Sequence, residues 1–499
     1  MKYIRKTLIA FIPFLLSLFL IRGYISTNNF KGMLGYILKT SGLNVEFKKV
    51  ELEGFGKLRI DDLKVKDQSG NIVIDAKKAT AKINLMLPSR LSKIEVSDAT
   101  VNLDRYPQNK FNVFNILKPD DKKKVTYDNT NRLGKLYFYN SVLNYTDTSY
   151  EKKIAKTLKN VNGYLEVSKS RGFSLEAKGS DGDESIKVFL DQKVNTLQSF
   201  KSMFDKTKNT DPKKKEFHLG FEFKNVNVTE SLGQYVPLDM IKAKKGVLTG
   251  NLELTQKHKE SVMKVKGKLD VKNGTIQYDD FDGDIENVDA VIDMKNDDIT
   301  VDAKTSIENH PVTFKMNYSI PKQNVNIKLT TDNVPFKEIA RYKVIKGFNV
   351  NASGNVTGEL DAAVNVQSKE FTLDGKFSSP QITLANYRFR DLKTSLKMSK
   401  EQILTLENTT FHFDETINGF KVKNDVLVPK FTYNVKEKQG NGNYILTNRG
   451  SDYSVARITG EASINKENIV TGNFNSNELS GNYVINTKEQ QMNINATGR

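Results

Sequence analysis

The side chains best suited to chemistry near neutral pH are those of cysteine and histidine, and the chain has no cysteine and only four histidines. The missing thiols remove Cys nucleophiles, thiolate metal sites, disulfides and a lipid-modified cysteine. His218, His258, His310 and His412 stand at least forty residues apart, and none belongs to an H-E-x-x-H pair. A metal or general-base site would need distant segments brought together. The acidic run Asp279-Asp280-Phe281-Asp282-Gly283-Asp284-Ile285-Glu286 matches part of a calcium loop. With Asp280, Asp282 and Asp284 at positions 1, 3 and 5, however, the required glycine falls at position 4 rather than 6. A polar inter-strand turn is the better reading. Phosphate-cradling glycine loops, a G-x-S-x-G elbow and kinase motifs are absent. These residues point to a protein that is not an enzyme, with no catalytic residue, no metal and no cofactor.

If no site carries chemistry, function must come from surfaces. The chain has 499 residues, room for about three domains. A mean hydropathy of −0.50 excludes a polytopic membrane protein. The net charge of +17 raises nucleic acid as a partner, yet only 13 of the 76 basic residues are Arg. Planar phosphate recognition prefers Arg. The lysines instead alternate with apolar residues, as in Lys264-Val265-Lys266-Gly267-Lys268, which is the solvent face of a sheet. No nucleic-acid partner is expected.

At the amino terminus, Lys2, Arg5 and Lys6 precede the apolar run Leu8 to Ile21, carried by Leu8, Phe11, Phe14, Leu15, Leu16, Leu18, Phe19, Leu20 and Ile21. Extended to Ile25, the run approaches the ~20 residues a spanning helix needs. Ile21-Arg22-Gly23-Tyr24-Ile25-Ser26 offers no convincing small-x-small cleavage site, so an uncleaved anchor is expected. The basic flank places the amino terminus in the cytoplasm and the bulk of the chain beyond the membrane. Phe30, Met33, Leu34, Ile37 and Leu38 then predict an amphipathic helix.

From Leu43 onward the period is two, the signature of strands. Three segments share one design: Lys93 to Leu103, Gly134 to Tyr145 and Gly267 to Tyr278. Each has apolar alternation, then Asp98-Ala99, Asn140-Ser141 or Asn273-Gly274, then apolar alternation in the opposite phase. Two-residue hairpin turns at these dipeptides bring both halves onto one face. The faces so formed are Ile94, Val96, Val101 and Leu103; Leu136, Phe138, Leu143 and Tyr145; and Leu269, Val271, Ile276 and Tyr278.

A longer repeat encloses the third segment. Gly246-Val-Leu-Thr-Gly-Asn-Leu252 matches Gly354-Asn-Val-Thr-Gly-Glu-Leu360, and Gly267-Lys268 matches Gly375-Lys376, both at an offset of 108 residues. Short helical candidates, Val228 to Tyr235 and Phe336 to Tyr342, open the two copies. The expected organisation is an anchor at 1–26, a β unit with a capping helix at 27–117, a β unit ending in a Lys-rich linker at 118–216, β repeats at 226–333 and 334–441, and a partial repeat at 442–499. Repeats of this kind stack so that each leans on its neighbours.

The order of these features resembles the AsmA-like and TamB-like family of Gram-negative envelope proteins. The matching pieces are the anchor Leu8 to Ile21, the helix Phe30 to Leu38, Gly42-Leu-Asn-Val-Glu-Phe with Leu58-Arg-Ile-Asp-Asp-Leu-Lys-Val-Lys-Asp, Lys93 to Leu103, and Lys110-Phe-Asn-Val-Phe-Asn-Ile-Leu117. The resemblance covers effectively the whole chain but rests on apolar spacing and turns. It implies a mainly β fold: an elongated, curled antiparallel sheet, or repeating β-groove, with a few short helices and one amino-terminal transmembrane helix. It further implies an inner-membrane, single-pass, largely periplasmic protein that conducts phospholipid acyl chains towards the outer membrane. TamB-type members are also linked to the assembly of outer-membrane proteins and autotransporters through a barrel partner.

Physical reasoning reaches a groove independently. An amphipathic sheet with few helices to cover it must close on a second sheet, form a barrel or curl around an apolar ligand. In the last case the twelve residues named above line the groove. A non-catalytic envelope scaffold with a closed, dry core is the remaining alternative.

Overall fold

The computed structural model describes residues 31–32, 44–53, 57–83, 91–107, 110–112, 133–149, 153–168, 172–193, 216–229, 241–256, 264–278, 282–307, 309–339, 341, 352–368, 370–384, 387–417, 419–486 and 491–498. They are almost entirely β. The chain divides into two compact units, Met1–Tyr235 with Val247–Leu269, and Val236–Gly246 with Asp270–Arg499.

In unit 1, β1 (Asn44–Glu46) and β2 (Lys49–Leu52) both pair with β3 (Lys57–Lys66). The ladder continues through β4 (Ile72–Ile83) to β5 (Leu91–Tyr106), which the short β6 (Lys110–Phe111) flanks. From β5 it passes to β7 (Leu133–Asp147), β8 (Ile154–Ser168), β9 (Gly172–Asp181), β10 (Glu184–Lys193) and β11 (Glu216–Thr229). Strands β12 (Ile241–Gln256) and β13 (Lys264–Tyr278) contribute residues to both units.

Unit 2 is a meander of β14 (Asp284–Asn296), β15 (Asp298–Ile307), β16 (His310–Ser319), β17 (Asn324–Pro335), β18 (Ala352–Asn365), β19 (Phe371–Leu384) and β20 (Tyr387–Met398). It runs on through β21 (Ile403–Ile417), β22 (Phe420–Asn434), β23 (Gln439–Asn448), β24 (Arg457–Ile464), β25 (Ile469–Asn475), β26 (Leu479–Asn486) and β27 (Gln491–Gly498). Each of these strands pairs antiparallel with the next.

Two expectations change. The sheet is mixed rather than purely antiparallel, because β5 and β7 run parallel, with Lys93 beside Lys135 and Leu103 beside Tyr145. Residues 107–132 connect them, long enough for the return that a parallel pair demands. The two similar segments therefore lie side by side in matched register.

The second correction concerns the three expected hairpins. Asp98, Asn140 and Asn273 do not reverse the chain; each sits inside one continuous strand, β5, β7 or β13. All three have left-handed backbone, with φ of 52°, 47° and 50°. That conformation is tolerated by Asp and Asn and interrupts the alternation of the strand. At Asn140 the register with β8 shifts as in a β-bulge, whereas Asp98 keeps an unbroken register with β4 and β7. The left-handed residue switches the apolar phase, so both halves still share a face, which is why the pattern imitates a hairpin.

Unit 2 follows the same rule at Asn287, Asn333, Asp391 and Asn408, with φ from 49° to 54°. The 108-residue offset also reappears as equivalent bulges: Asn225 donates its N–H to Thr249 Oγ1 at 3.1 Å, and Asn333 donates to Thr357 Oγ1 at 2.8 Å. Phe336–Ile339 forms a helical turn, whereas Val228 and Thr229 of the earlier helical candidate end β11, and residues 230–235 lie outside the described residues. Lys31 and Gly32 are helical; the rest of the Phe30 to Leu38 helix and the whole anchor lie outside the description. Among the described residues no helix is long and apolar enough to cross a membrane.

Candidate functional site

Strand alternation places one row of apolar residues across unit 2. Register links Ile292 to Val301, Met316, Ile327, Ala362, Leu373, Met398, Leu404 and Tyr433 in successive strands. Every member is half-buried and none is buried. In a two-layer sandwich such residues would be taken out of water by the facing sheet. Within unit 2 the strands make extensive backbone contact only with their ladder neighbours and with the helical turn beside β17 and β18. The face is apolar and continuous, half-buried along this row and buried beside it at Met294 and Val312.

The opposite face carries a charged row: Asp302, Lys315, Lys328, Asp361, Asp374 and Lys397. Its charges are paired locally, Lys315 with Asp302 at 3.5 Å, Lys328 with Glu359 at 3.1 Å and Lys397 with Glu407 at 2.7 Å. A hollow of about 1240 Å³ is lined by members of both rows, Met316, Ile327 and Leu373 with Asp302, Lys328 and Lys397 among them, and on β21 and β22 by Ile403, Thr405, Glu407, Lys430 and Thr432. Pairwise neutralisation leaves it no concentrated charge with which to attract an ionic ligand.

Towards β26 the apolar lining changes character. Tyr444 faces Gly460, and Gly472 faces Tyr483. A Cβ at Gly460 would lie 2.5 Å from the Tyr444 ring, and one at Gly472 would lie 2.4 Å from that of Tyr483. The rings therefore lie flat over bare backbone. Their hydroxyls donate to main-chain oxygens, Tyr444 to Asn473 at 3.0 Å and Tyr483 to Glu461 at 3.4 Å. Burial pushes both hydroxyl pKa values up.

Unit 1 differs. Ala76, Ala79, Val96 and Ala99 form a buried cluster, with Ile60, Leu63, Ile74, Ile94 and Leu136 packed against it. Of the twelve expected lining residues, Val96 is thus core. Ile94, Val101, Leu103, Leu136, Phe138, Leu143 and Tyr145 are half-buried, as are Leu269, Val271 and Ile276 in β13. The Tyr278 side chain, like the anchor residues Leu8 to Ile21, lies outside the described residues. The parallel pairing sets Ile94 beside Leu136, Val96 beside Phe138, Val101 beside Leu143 and Leu103 beside Tyr145.

Tyr145 also has a polar role, since its hydroxyl donates to Asp147 Oδ2 at 3.1 Å. Asp147 is fully buried and paired with Arg105 Nη1 at 2.7 Å, which ties the ends of the parallel strands together. The apolar row of unit 2 lies outside the three similar segments. The same alternation, Val325-Asn-Ile-Lys-Leu329 for example, marks it in the sequence.

His218 pairs with Glu253 at 3.4 Å, and His412 with Asp425 at 2.6 Å. No group of three or more metal-ligating side chains occurs among the described residues. Asp282 of the acidic run donates its N–H to the Arg341 carbonyl at 3.0 Å, and Asp284 pairs with Lys244 at 2.6 Å. No protein-family model matches the chain, and no curated protein matches it.

Proposed function

We propose that the chain is an envelope β-groove protein that conducts phospholipid acyl chains along its apolar strand faces, held at the inner membrane by Leu8 to Ile21 with its bulk in the periplasm. The observation carrying this reading is the row from Val301 to Tyr433: apolar side chains, most of them large, that run across successive strands and stay half-buried. Such a face is stable in water only if something apolar covers it, and an acyl chain laid along it gains about 0.8 kcal/mol per buried methylene. The polar face opposite, with its charges paired, serves solubility. The resemblance to AsmA-like proteins points the same way. The closed cluster around Ala76 and Ala99 favours a second reading, a non-catalytic scaffold whose sheets are dry cores.

The chain contains no tryptophan, so an introduced one is a sole reporter. Met316→Trp places it on the apolar face and Asn317→Trp, one residue on, on the polar face. With phosphatidylethanolamine carrying brominated acyl chains, fluorescence of the Met316→Trp variant should be quenched and that of the Asn317→Trp variant should not. Equal quenching, or none in either folded variant, removes the conduit and leaves the scaffold.

A further inference from the structure

The bulges line up. In unit 2 the register breaks at Asp332 and Asn333 of β17, opposite Thr357 of β18. It breaks again between Gly354 and Thr357 of β18 where they meet β19, whose Ser379 and Gln381 pair with Leu392 and Arg390, setting Pro380 against Asp391. Asn408 of β21 lies between Glu407, paired with Lys430, and Thr409, paired with Val428, and so faces Pro429 of β22. Pro380 and Pro429 thus stand in the middle of interior strands, each at a level where the ladder is already broken and a missing N–H is harmless. In unit 1 the left-handed residues Asp62, Asp98 and Asn140 also fall at one level, where the register shifts between β7 and β8 while β3, β4 and β5 stay paired one to one, and Asn140 Nδ2 donates to Asp98 Oδ1 at 2.5 Å.

A bulge leaves a backbone N–H without its ladder acceptor, free to take a side-chain oxygen instead. The same solution appears four times: the N–H of the left-handed residue donates to a side-chain oxygen of a nearby strand. The donors are Asn140, Asn225, Asn273 and Asn333; the acceptors are Asn162 Oδ1 at 3.0 Å, Thr249 Oγ1 at 3.1 Å, Asp289 Oδ1 at 3.0 Å and Thr357 Oγ1 at 2.8 Å.

The geometry points to a preset crease: a row of Asn and Asp bulges, clamped strand to strand by side chains, that fixes the bend of each unit's sheet before any ligand arrives. A bulged strand bends and twists more strongly than a regular one. Bulges aligned across neighbouring strands add their bends along one line instead of scattering them. Each bulge is also held by the apolar phase on either side of it. Removing one would turn half of that strand's apolar residues to the polar face. The inference does not rest on the lipid reading, since a crease is preset whatever the face binds.

Two measurements on the full chain test it. In Thr357→Val the acceptor for the Asn333 N–H is gone, so hydrogen exchange in peptides covering 331–335 should accelerate by about tenfold or more, while Thr357→Ser should exchange like the parent. Unchanged exchange in a folded Thr357→Val protein overturns the clamp. Because the chain lacks cysteine, spin labels at Asp374→Cys and Gln381→Cys report the distance across the β19 bulge alone. A single narrow distance in the ligand-free protein, unmoved by vesicles of phosphatidylethanolamine and phosphatidylglycerol, is expected. A broad ligand-free distribution, or one that narrows or shifts with vesicles, overturns the preset bend. This second measurement stands even if Thr357→Val does not fold.

Discussion

Strands β3 to β5 and strands β15 to β20 are built on the same alternation but end in different states. In the first, the apolar row runs through alanines: Ala76 is 0% and Ala99 2% exposed, with Ile60, Leu63 and Ile94 packed against them. In the second it runs through Val301, Met316, Ile327, Leu373 and Met398, none of them buried. Small residues flanked by large ones fill their own surface, whereas a row of large residues on one sheet waits for something to fill the other side. The difference separates a buried alanine cluster from a half-buried row of larger residues.

The sharpest way to break the comparison is a carboxylate on each face. Ala99→Asp places an ionised group at a 2% exposed position opposite Ala76, with no partner. An uncompensated buried charge costs about 3–5 kcal/mol, enough to unfold the surrounding strands in urea titrations. Ile327→Asp on the half-buried row lets the carboxylate reach water and forfeits only partial burial, about 1 kcal/mol, yet it should abolish bromolipid quenching in the Met316→Trp background. If Ile327→Asp destabilises as much as Ala99→Asp, the second face is covered too and the contrast collapses.

This contrast also marks how far the sequence could be read. The β class, the amphipathic faces and the 108-residue repeat are all legible, because alternation and recurring glycines are local signals. The bulges are half legible: the phase switch about Asn273-Gly274 is plain, but a hairpin and a bulge both satisfy it. Strand length and ladder partners decide between them, and neither is local. The parallel pairing of β5 with β7 is invisible for the same reason, since it depends on where the 107–132 connection returns. Whether a face is covered is the least legible property of all: Val96 and Val301 stand in similar patterns, and only Val96 is core.

The smallest effects should show that the two regions differ on one face only. On the polar side of β5, the Lys93 ammonium, 2.7 Å from Glu95, holds that carboxyl below the usual carboxylate range. On the polar side of β21, Lys397 does the same for Glu407 at 2.7 Å. A carboxyl whose folded pKa is depressed adds stability above its unfolded pKa, near 4.3 for Glu, and loses it as pH falls through the lower folded value. Both pairs are solvent-exposed and screened by salt, so Glu95→Gln and Glu407→Gln should each lower the unfolding midpoint slightly at pH 7 and become silent below about pH 3. Urea midpoints measured at pH 7 and pH 3 in low salt, with the two variants compared to the parent, check this. Matching small losses at pH 7 that vanish together in acid would show equivalent polar faces and confine the difference between the two regions to the apolar one. A large loss at Glu95 alone would mean that the closed region is set apart by its polar face as well, and the contrast would have to be redrawn.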